Sequence, residues 1–208
     1  MTPLGILATF LVPLASGLIA PFGGLLVLVW ARITNTPWAE LGFRRPRNWW
    51  AEVVVGILFG AGLKLAMKAV IMPLLGAPPK NAYYGYLAGN TAALPWTVFV
   101  ILVGAGFSEE TLFRGFLFER FREWFGDRRG SLALIVLLTS TLFGAAHYPG
   151  QGWPGVQQAF VVGLVFGTIY AITRRIGFVM IAHAAFDLVA VALIYWGLES
   201  TVAGWIFH

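Results

Sequence analysis

The chain of 208 residues is too apolar and too sparsely charged for a soluble protein. Hydrophobic residues make up 59% of it, and 14 basic and 9 acidic residues give 11% charged residues, against about 25% in soluble domains. Together with a mean hydropathy of +0.79, this composition excludes soluble, disordered and nucleic-acid-binding proteins and predicts an integral membrane protein with the lipid bilayer as its first partner. The absence of Cys excludes disulfides and cysteine nucleophiles.

Six stretches approach the roughly 20 apolar residues that a membrane-spanning helix needs. They predict an all-α, polytopic transmembrane helical bundle of about six spans, forming one membrane domain over 1–208. The first stretch contains Pro13 and Pro21 and lacks the features of a cleaved signal peptide, so we expect it to be retained. In chain order the stretches are 3–31, 49–75, 95–118, 131–147, 156–173 and 177–198.

The basic residues predict the orientation of the bundle. Ten of the 14 lie in alternate connections, whereas the opposite connections contain only Lys80. The positive-inside rule then predicts that both termini lie outside, and the small size with no organellar signal predicts a prokaryotic cell membrane. The ten are Arg32, Arg44, Arg45, Arg47, Arg120, Arg122, Arg128, Arg129, Arg174 and Arg175.

A few ionisable residues lie within the spans themselves. Each charge costs about 2.5–3.5 kcal/mol at a helix centre, so such residues pair, face the interior or serve a function. We expect Lys64 and Lys68 to pair structurally or to contact lipid headgroups, and we leave them outside the site. The others are Glu109, Glu110, Arg114 and Asp187, joined by His147 and His183.

Helical spacing separates the roles of these residues. Glu110 and Arg114 are four apart and predict an ion pair, whereas Glu109 is turned by about 100° and can face a cavity. Asp187 is four residues after His183 and can set its tautomer or hold it protonated. Each feature alone has a simpler structural explanation. Together with His147, they supply the acid-base groups that activate water.

The residues also resemble a known family. Glu-Glu-x-x-x-Arg at 109–114, Phe-x-x-x-His at 143–147 and His-x-x-x-Asp at 183–187 are similar to the three boxes of the CPBP family (CAAX proteases and bacteriocin-processing enzymes, also called Abi), to which the Rce1-type CAAX proteases are related. The region 95–198 contains the helices with these boxes. The first ninety residues resemble the family only in hydrophobicity.

The resemblance implies an intramembrane endopeptidase whose active site lies in a bilayer cavity. Its substrate would be a membrane-embedded protein or a lipidated peptide. Glu109 and His147 would activate water, and His183 with Asp187 would stabilise the oxyanion. Glu110, Arg114 and Phe143 would support them.

The last box differs from that of many relatives, which have Asn where this chain has Asp187. An ionised Asp cannot donate a hydrogen bond, so we expect a cationic His183 to be the donor. No cofactor is required in the favoured interpretation. A divalent metal such as zinc stays an alternative, with Glu109, His147 and His183 as ligands, although no His-Glu-x-x-His motif is present.

Other functions remain open from the sequence. A nonenzymatic membrane scaffold or bacteriocin-immunity protein would keep the helices, and an ion-coupled transporter would use the same buried charges. A rhomboid-like enzyme fits worse, because Ser108 lacks the expected setting and Ser140 is a poor substitute, and so does a presenilin-like enzyme, because Asp187 is the one aspartate within a predicted span. The oligomeric state is not predicted.

Helix rise leaves one difficulty for the site. It puts Glu109 and His183 at similar depth but His147 nearer the outside. Helix tilt, an earlier start of the fourth span, or an inward turn of 148–155 would each bring His147 closer. The family resemblance predicts that the three residues converge.

Overall fold

Helices account for the secondary structure of the described part of the chain. The computed structural model describes residues 3–18 and 21–207, and it contains no strand there, so the all-α prediction is confirmed. A short 3₁₀ turn, Gly85–Leu87, lies between α3 and α4. The helices are α1 Pro3–Leu18, α2 Gly23–Ile33, α3 Trp49–Leu74, α4 Thr91–Phe125, α5 Arg129–Ala146, α6 Tyr148–Thr173, α7 Ile176–Tyr195 and α8 Glu199–Ala203.

Five helices, α3 to α7, are long and apolar enough to cross a membrane. They pack closely where glycines face a neighbouring helix, as in other membrane bundles. A Cβ on Gly60 of α3 would lie 2.0 Å from the Ala182 carbonyl oxygen of α7, and one on Gly163 of α6 would lie 3.0 Å from the Ser140 side chain of α5. Small residues at these two contacts therefore set the distance between the helices.

The predicted first span, 3–31, differs from a single crossing because it forms the two shorter helices α1 and α2. The Ser16 hydroxyl donates a hydrogen bond to the Gly23 carbonyl at 3.1 Å. Earlier in α1, the Phe10 ring lies 6.3 Å from the ring of Trp124, near the end of α4. α1 therefore runs from the end of α4 toward its middle.

α2 returns along the same half of α4. The ring of Trp30 lies 4.8 Å from that of Phe116, and the Arg120 guanidinium lies 4.6 Å from the Trp30 ring. Pro21 lies between the two helices, and a proline inside a helix removes a backbone donor and disfavours its continuation. Hydropathy detected the apolar segment but not this reversal.

The hairpin and the five crossings put the two ends of the described chain on opposite sides of the bundle. α1 begins on the side of Arg120, whereas α8 follows the far end of α7, where Glu199 pairs with Lys68. This arrangement does not support the predicted placement of both termini outside, because α1 and α2 together form a hairpin rather than one crossing. The side on which each terminus lies stays a prediction.

Ion pairs join the helix ends on the arginine-rich side. Glu119 of α4 accepts hydrogen bonds from Arg122 at 2.8 Å and from Arg174 at 2.8 Å. Glu52 of α3 pairs with Arg175, which precedes α7. These contacts link α3, α4, α6 and α7 at one end and fix the register that the site needs.

The helix that carries both glutamates has an unusual backbone. In α4 the hydrogen bonds follow the wider π pattern over Val100–Glu109 and Thr111–Leu117, and π turns occur frequently at functional sites. The Glu110 side chain is completely buried, whereas that of Glu109 is 35% exposed. The two carboxylates thus face different surroundings, as their spacing predicted.

Candidate active site

Glu110 is the buried acceptor that joins two of the three boxes. Its Oε1 accepts a hydrogen bond from Arg114 at 2.9 Å and lies 2.7 Å from His183 Nδ1. The Arg114 guanidinium also lies 4.7 Å from the centroid of the Phe143 ring. The predicted Glu110–Arg114 pair is confirmed, and the contact from Glu110 to His183 on α7 adds a fixed orientation for the imidazole.

The other ring nitrogen of His183 faces two more carboxylates. His183 Nε2 lies 3.6 Å from Asp187 Oδ2 and 4.0 Å from Glu109 Oε2. Glu110 accepts the Nδ1 hydrogen, so Nε2 is the atom that points toward the candidate reaction centre. His183 and Asp187 therefore lie close together, as expected. Glu109, on α4, lies near the same ring nitrogen.

Glu109 and His147 line the same cavity. Glu109 Oε2 is buried without a hydrogen-bond partner among the described residues. His147 Nδ1 lies 2.8 Å from the Phe143 carbonyl oxygen, which assigns the hydrogen to Nδ1 and leaves the Nε2 lone pair free. The two residues thus line one cavity, one with a free imidazole acceptor and the other with a carboxylate oxygen that has no hydrogen-bond partner among the described residues.

Phe143 connects the two histidines across the helices. Its ring centroid lies 4.7 Å from that of His147 and 5.8 Å from that of His183. The segment after His147 has a positive φ of +62° at Gly152. His147 lines the same cavity as Glu109 and His183, although helix rise alone suggested a different depth.

The cavity has a volume of about 1000 Å³ and reaches residues of α1 to α8 and the connection before α4. Tyr84 and Gln151 form part of its polar lining, and the Gln151 side-chain amide donates a hydrogen bond to the Tyr84 hydroxyl at 3.2 Å. Burial, together with the negative charge of Asp187, raises the pKa of Tyr84 to about 12. Tyr84 therefore keeps its proton at neutral pH and can donate a hydrogen bond.

Comparison with known families supports what the boxes indicate. Residues 91–189 match the family model described as type II CAAX prenyl endopeptidase Rce1-like. The matched stretch covers 99 of the 208 residues, and over it the chain is similar to the Rce1-like family. All three boxes lie inside this stretch, which supports the general class of CAAX-type intramembrane endopeptidases. No curated protein and no solved structure gave a match.

The two lysines of α3 also line the cavity. Lys68 Nζ lies 2.8 Å from Glu199 Oε1, which confirms structural pairing for that residue. Lys64 Nζ instead donates to Gln158 Oε1 at 2.9 Å. Sequence reasoning missed Gln158, Tyr84 and Gln151. The only signal for them was polar side chains next to otherwise apolar stretches.

The alternative metal ligands named from the sequence are Glu109, His147 and His183. Within 3–18 and 21–207, no group of three or more His, Asp or Glu is arranged to hold a metal ion. His183 Nδ1 contacts Glu110 and His147 Nδ1 contacts the Phe143 carbonyl, which leaves both Nε2 atoms available, as in histidines that bind metals. Metal independence stays a prediction, which cleavage in the presence of a chelator tests.

The serine candidates lack the partner that a nucleophilic serine needs. The buried Ser140 hydroxyl donates to the Val136 carbonyl at 2.6 Å. The Ser108 hydroxyl is buried and has no hydrogen-bond partner in the described part of the chain. Because neither serine bonds to a histidine there, the geometry does not support a rhomboid-like pair.

Proposed function

We propose that this chain hydrolyses a peptide bond in a membrane-embedded or lipid-anchored protein or peptide, with Glu109 as the base that activates water. The observation that carries this proposal is the position of Glu109. Its Oε2 is buried without a hydrogen-bond partner among the described residues and lies 4.0 Å from His183 Nε2. The Rce1-like match over 91–189 supports the same reaction class.

In the first step, water attacks the substrate carbonyl carbon while its proton passes to Glu109. The free Nε2 of His147 accepts a hydrogen bond from the same water and orients it. A protonated His183 donates from Nε2 to the developing oxyanion, and an ionised Asp187, 3.6 Å away, balances its charge. Such preorganised donors stabilise the transition state most strongly in a site from which water is excluded.

In the second step, the tetrahedral intermediate collapses. Glu109 returns the proton to the substrate nitrogen, the C–N bond breaks, and the products are a carboxylate and an amine. This cycle requires no cofactor. Glu110 and Arg114 take no part in proton transfer, because they hold the His183 ring through the buried hydrogen bond to Nδ1.

For the orientation, we propose that the arginine-rich end of the bundle is cytoplasmic in a prokaryotic cell membrane. The positive-inside rule supports this assignment, since Arg120, Arg122, Arg174 and Arg175 lie at that end. The N-terminal hairpin then begins on the cytoplasmic side, and α8 lies on the outer side.

The test is cleavage of a candidate membrane substrate by purified protein in liposomes, with and without a chelator. We expect chelator-resistant cleavage by the wild type. Glu109→Gln and His147→Ala should each lower kcat/KM by at least about 100-fold, the scale of lost acid-base catalysis. Wild-type rates in Glu109→Gln would refute the proposal, and chelator-sensitive cleavage would support the metal alternative.

A further inference from the structure

The positive charge at the arginine-rich end of the bundle is compensated unevenly. The arginines there that pair with carboxylates are Arg120, Arg122, Arg174 and Arg175. In the connection between α2 and α3, by contrast, Arg44, Arg45 and Arg47 are exposed, and none of them forms an ion pair within 3–18 and 21–207. The single acidic residue of this connection is Glu40. Uncompensated positive charge is therefore concentrated just before α3.

The connection that carries these arginines is held in place by the helices beneath it. The Gly42 carbonyl accepts a hydrogen bond from the Ile176 backbone at 3.0 Å. The Glu40 carbonyl accepts one from the Arg174 side chain at 3.1 Å. Gly42 has a φ of +86°, and a Cβ there would lie 2.5 Å from the Tyr170 ring. The arginines therefore follow a fixed backbone, so less conformational freedom is lost when they bind a ligand.

Exposed tryptophans follow the arginines at the start of α3. Trp49 is 60% exposed and Trp50 80%, and tryptophans of membrane proteins are enriched at the level of the lipid headgroups. Further along α3 the exposed large side chains are apolar, as on a surface that faces acyl chains. They include Val54, Ile57 and Leu58. The unpaired arginines therefore lie at headgroup level, next to a surface suited to hydrocarbon.

A smaller cavity, which shares no lining residue with the candidate active site, lies beside this part of α3. It has a volume of about 240 Å³, lies between the end of α6 and the start of α7, and is lined by Ile169, Thr173, Arg175 and Phe178. Arg175 pairs with Glu52 in the first turn of α3, which brings the cavity next to the helix start with the tryptophans. The walls of the cavity are thus apolar, with a guanidinium at one end.

The arginines and this cavity are close enough for a single lipid to reach both. Asn48 caps α3, because its side chain accepts a hydrogen bond from the Ala51 backbone at 3.1 Å. Arg47 directly precedes this cap, and Glu52 lies about 6 Å beyond it along the helix axis. One leaflet contributes about 15 Å of hydrocarbon to a bilayer. A phospholipid with its phosphate at Arg47 can therefore extend an acyl chain past Glu52 to Phe178.

We propose that Arg45, Arg47 and the cavity beside Phe178 together bind one anionic phospholipid of the leaflet at the arginine-rich end. The two guanidinium groups donate hydrogen bonds to the phosphate, whose oxygens match the planar geometry of arginine. One acyl chain packs between Ile169 and Phe178. A lipid with a net negative charge compensates the unpaired arginines, whereas a zwitterionic lipid brings its own cation. The lipid site is independent of the proposed function.

The test is lipid binding to the purified full chain in neutral detergent, measured by native mass spectrometry. Phosphatidylglycerol is the anionic probe, and phosphatidylcholine with the same acyl chains is the zwitterionic one. We expect the first phosphatidylglycerol to bind at least about 10-fold more tightly, because each basic residue near the headgroups adds to the attraction. Equal affinities would overturn the inference. Glycerol 3-phosphate should not compete, and competition at the concentrations at which the lipid binds would indicate a phosphate site instead of a lipid site.

Paired substitutions distinguish a specific site from a general effect of positive charge. Arg45→Gln/Arg47→Gln should bring the affinity for phosphatidylglycerol to within about 3-fold of that for phosphatidylcholine. Arg128→Gln/Arg129→Gln is the matched control, because it removes the same charge from exposed arginines in another connection at the same end. This control should keep the preference. An equal loss in both double variants would contradict a site at Arg45 and Arg47.

Filling the smaller cavity tests the place of the acyl chain. Thr173→Phe puts a ring into the cavity with both arginines intact, and we expect it to weaken phosphatidylglycerol binding at least about 10-fold, as the loss of several buried methylene contacts implies. Ile172→Phe is the control, because Ile172 is 78% exposed and does not line the cavity. Unchanged binding in Thr173→Phe would show that the lipid does not use the cavity and would overturn the site as proposed.

Discussion

Three carboxylates surround the imidazole of His183, and each has a different contact. Glu110 engages Nδ1 at 2.7 Å, while Asp187 and Glu109 lie 3.6 Å and 4.0 Å from Nε2. Glu110 shares its charge with Arg114, so it is committed to structure. In the proposed mechanism, Asp187 balances the charge of the His183 ring, and Glu109 acts as the base.

Asp187→Asn tests whether an ionised Asp187 keeps His183 cationic. Removing one negative charge 3.6 Å from Nε2 makes the protonated ring less favourable, so activity that needs the imidazolium should be lost at a lower pH. We expect the alkaline limb of the kcat/KM profile to move toward lower pH. Asp127→Asn, in a solvent-exposed connection, is the control. An unchanged alkaline limb in Asp187→Asn would show that Asp187 has no such role.

Arg114→Met tests the structural role of the buried pair. The substitution removes the guanidinium and leaves the buried Glu110 charge with His183 alone, and breaking a buried pair costs about 3–5 kcal/mol. We expect the free energy of unfolding in mixed micelles to fall by about that amount. Arg128→Met, on an exposed arginine, should change it little. A loss below about 1 kcal/mol in Arg114→Met would contradict the account.

At the scale of the helices, the contact between α3 and α7 positions both Lys64 and His183. The two helices run in the same direction, since Gly60 meets Ala182 and Lys64 meets Phe186 one turn further on both helices. The close approach depends on the missing side chain of Gly60. Any larger residue there must push α7 and its catalytic candidates away from α3.

Gly60→Leu should therefore lower both stability and cleavage. The first added carbon already lies 2.0 Å from a backbone oxygen, and overpacking of this kind costs about 1–3 kcal/mol or more. Gly62→Leu is a matched control on the same helix, because a Cβ there meets nothing within 4 Å. The measurements are the thermal midpoint in detergent and kcat/KM. Equal effects of the two substitutions would show that the Gly60 contact is not critical.

For the whole molecule, the hairpin of α1 and α2 determines which side each terminus occupies. The chain contains no Cys, so single cysteines can be introduced into a clean background. We expect a cysteine added before Met1 and Ala39→Cys to react with an impermeant maleimide from the same side of the membrane. Trp205→Cys should react from the opposite side. Labelling of the added N-terminal cysteine together with Trp205→Cys would instead support the single crossing.

Helical spacing predicted the contacts within one helix, and the family resemblance predicted that the three boxes converge, but the individual hydrogen bonds between helices were missed. Glu110 and Arg114 are four residues apart, so helical spacing alone paired them. The bond from His183 to Glu110 spans 73 residues, and that from Lys64 to Gln158 spans 94. Such contacts depend on helix packing and register, which hydropathy does not encode. The reversal near Pro21 was missed for the same reason, because an apolar hairpin and an apolar span have similar compositions.

The most direct test of the central claim is the rate of peptide-bond cleavage by Glu109→Gln beside the wild type, in liposomes with one membrane substrate. The amide keeps the size of the side chain but cannot accept the proton from water. We predict a loss of at least about 100-fold in kcat/KM with an unchanged thermal midpoint. Cleavage at the wild-type rate by a correctly folded Glu109→Gln protein would contradict the account.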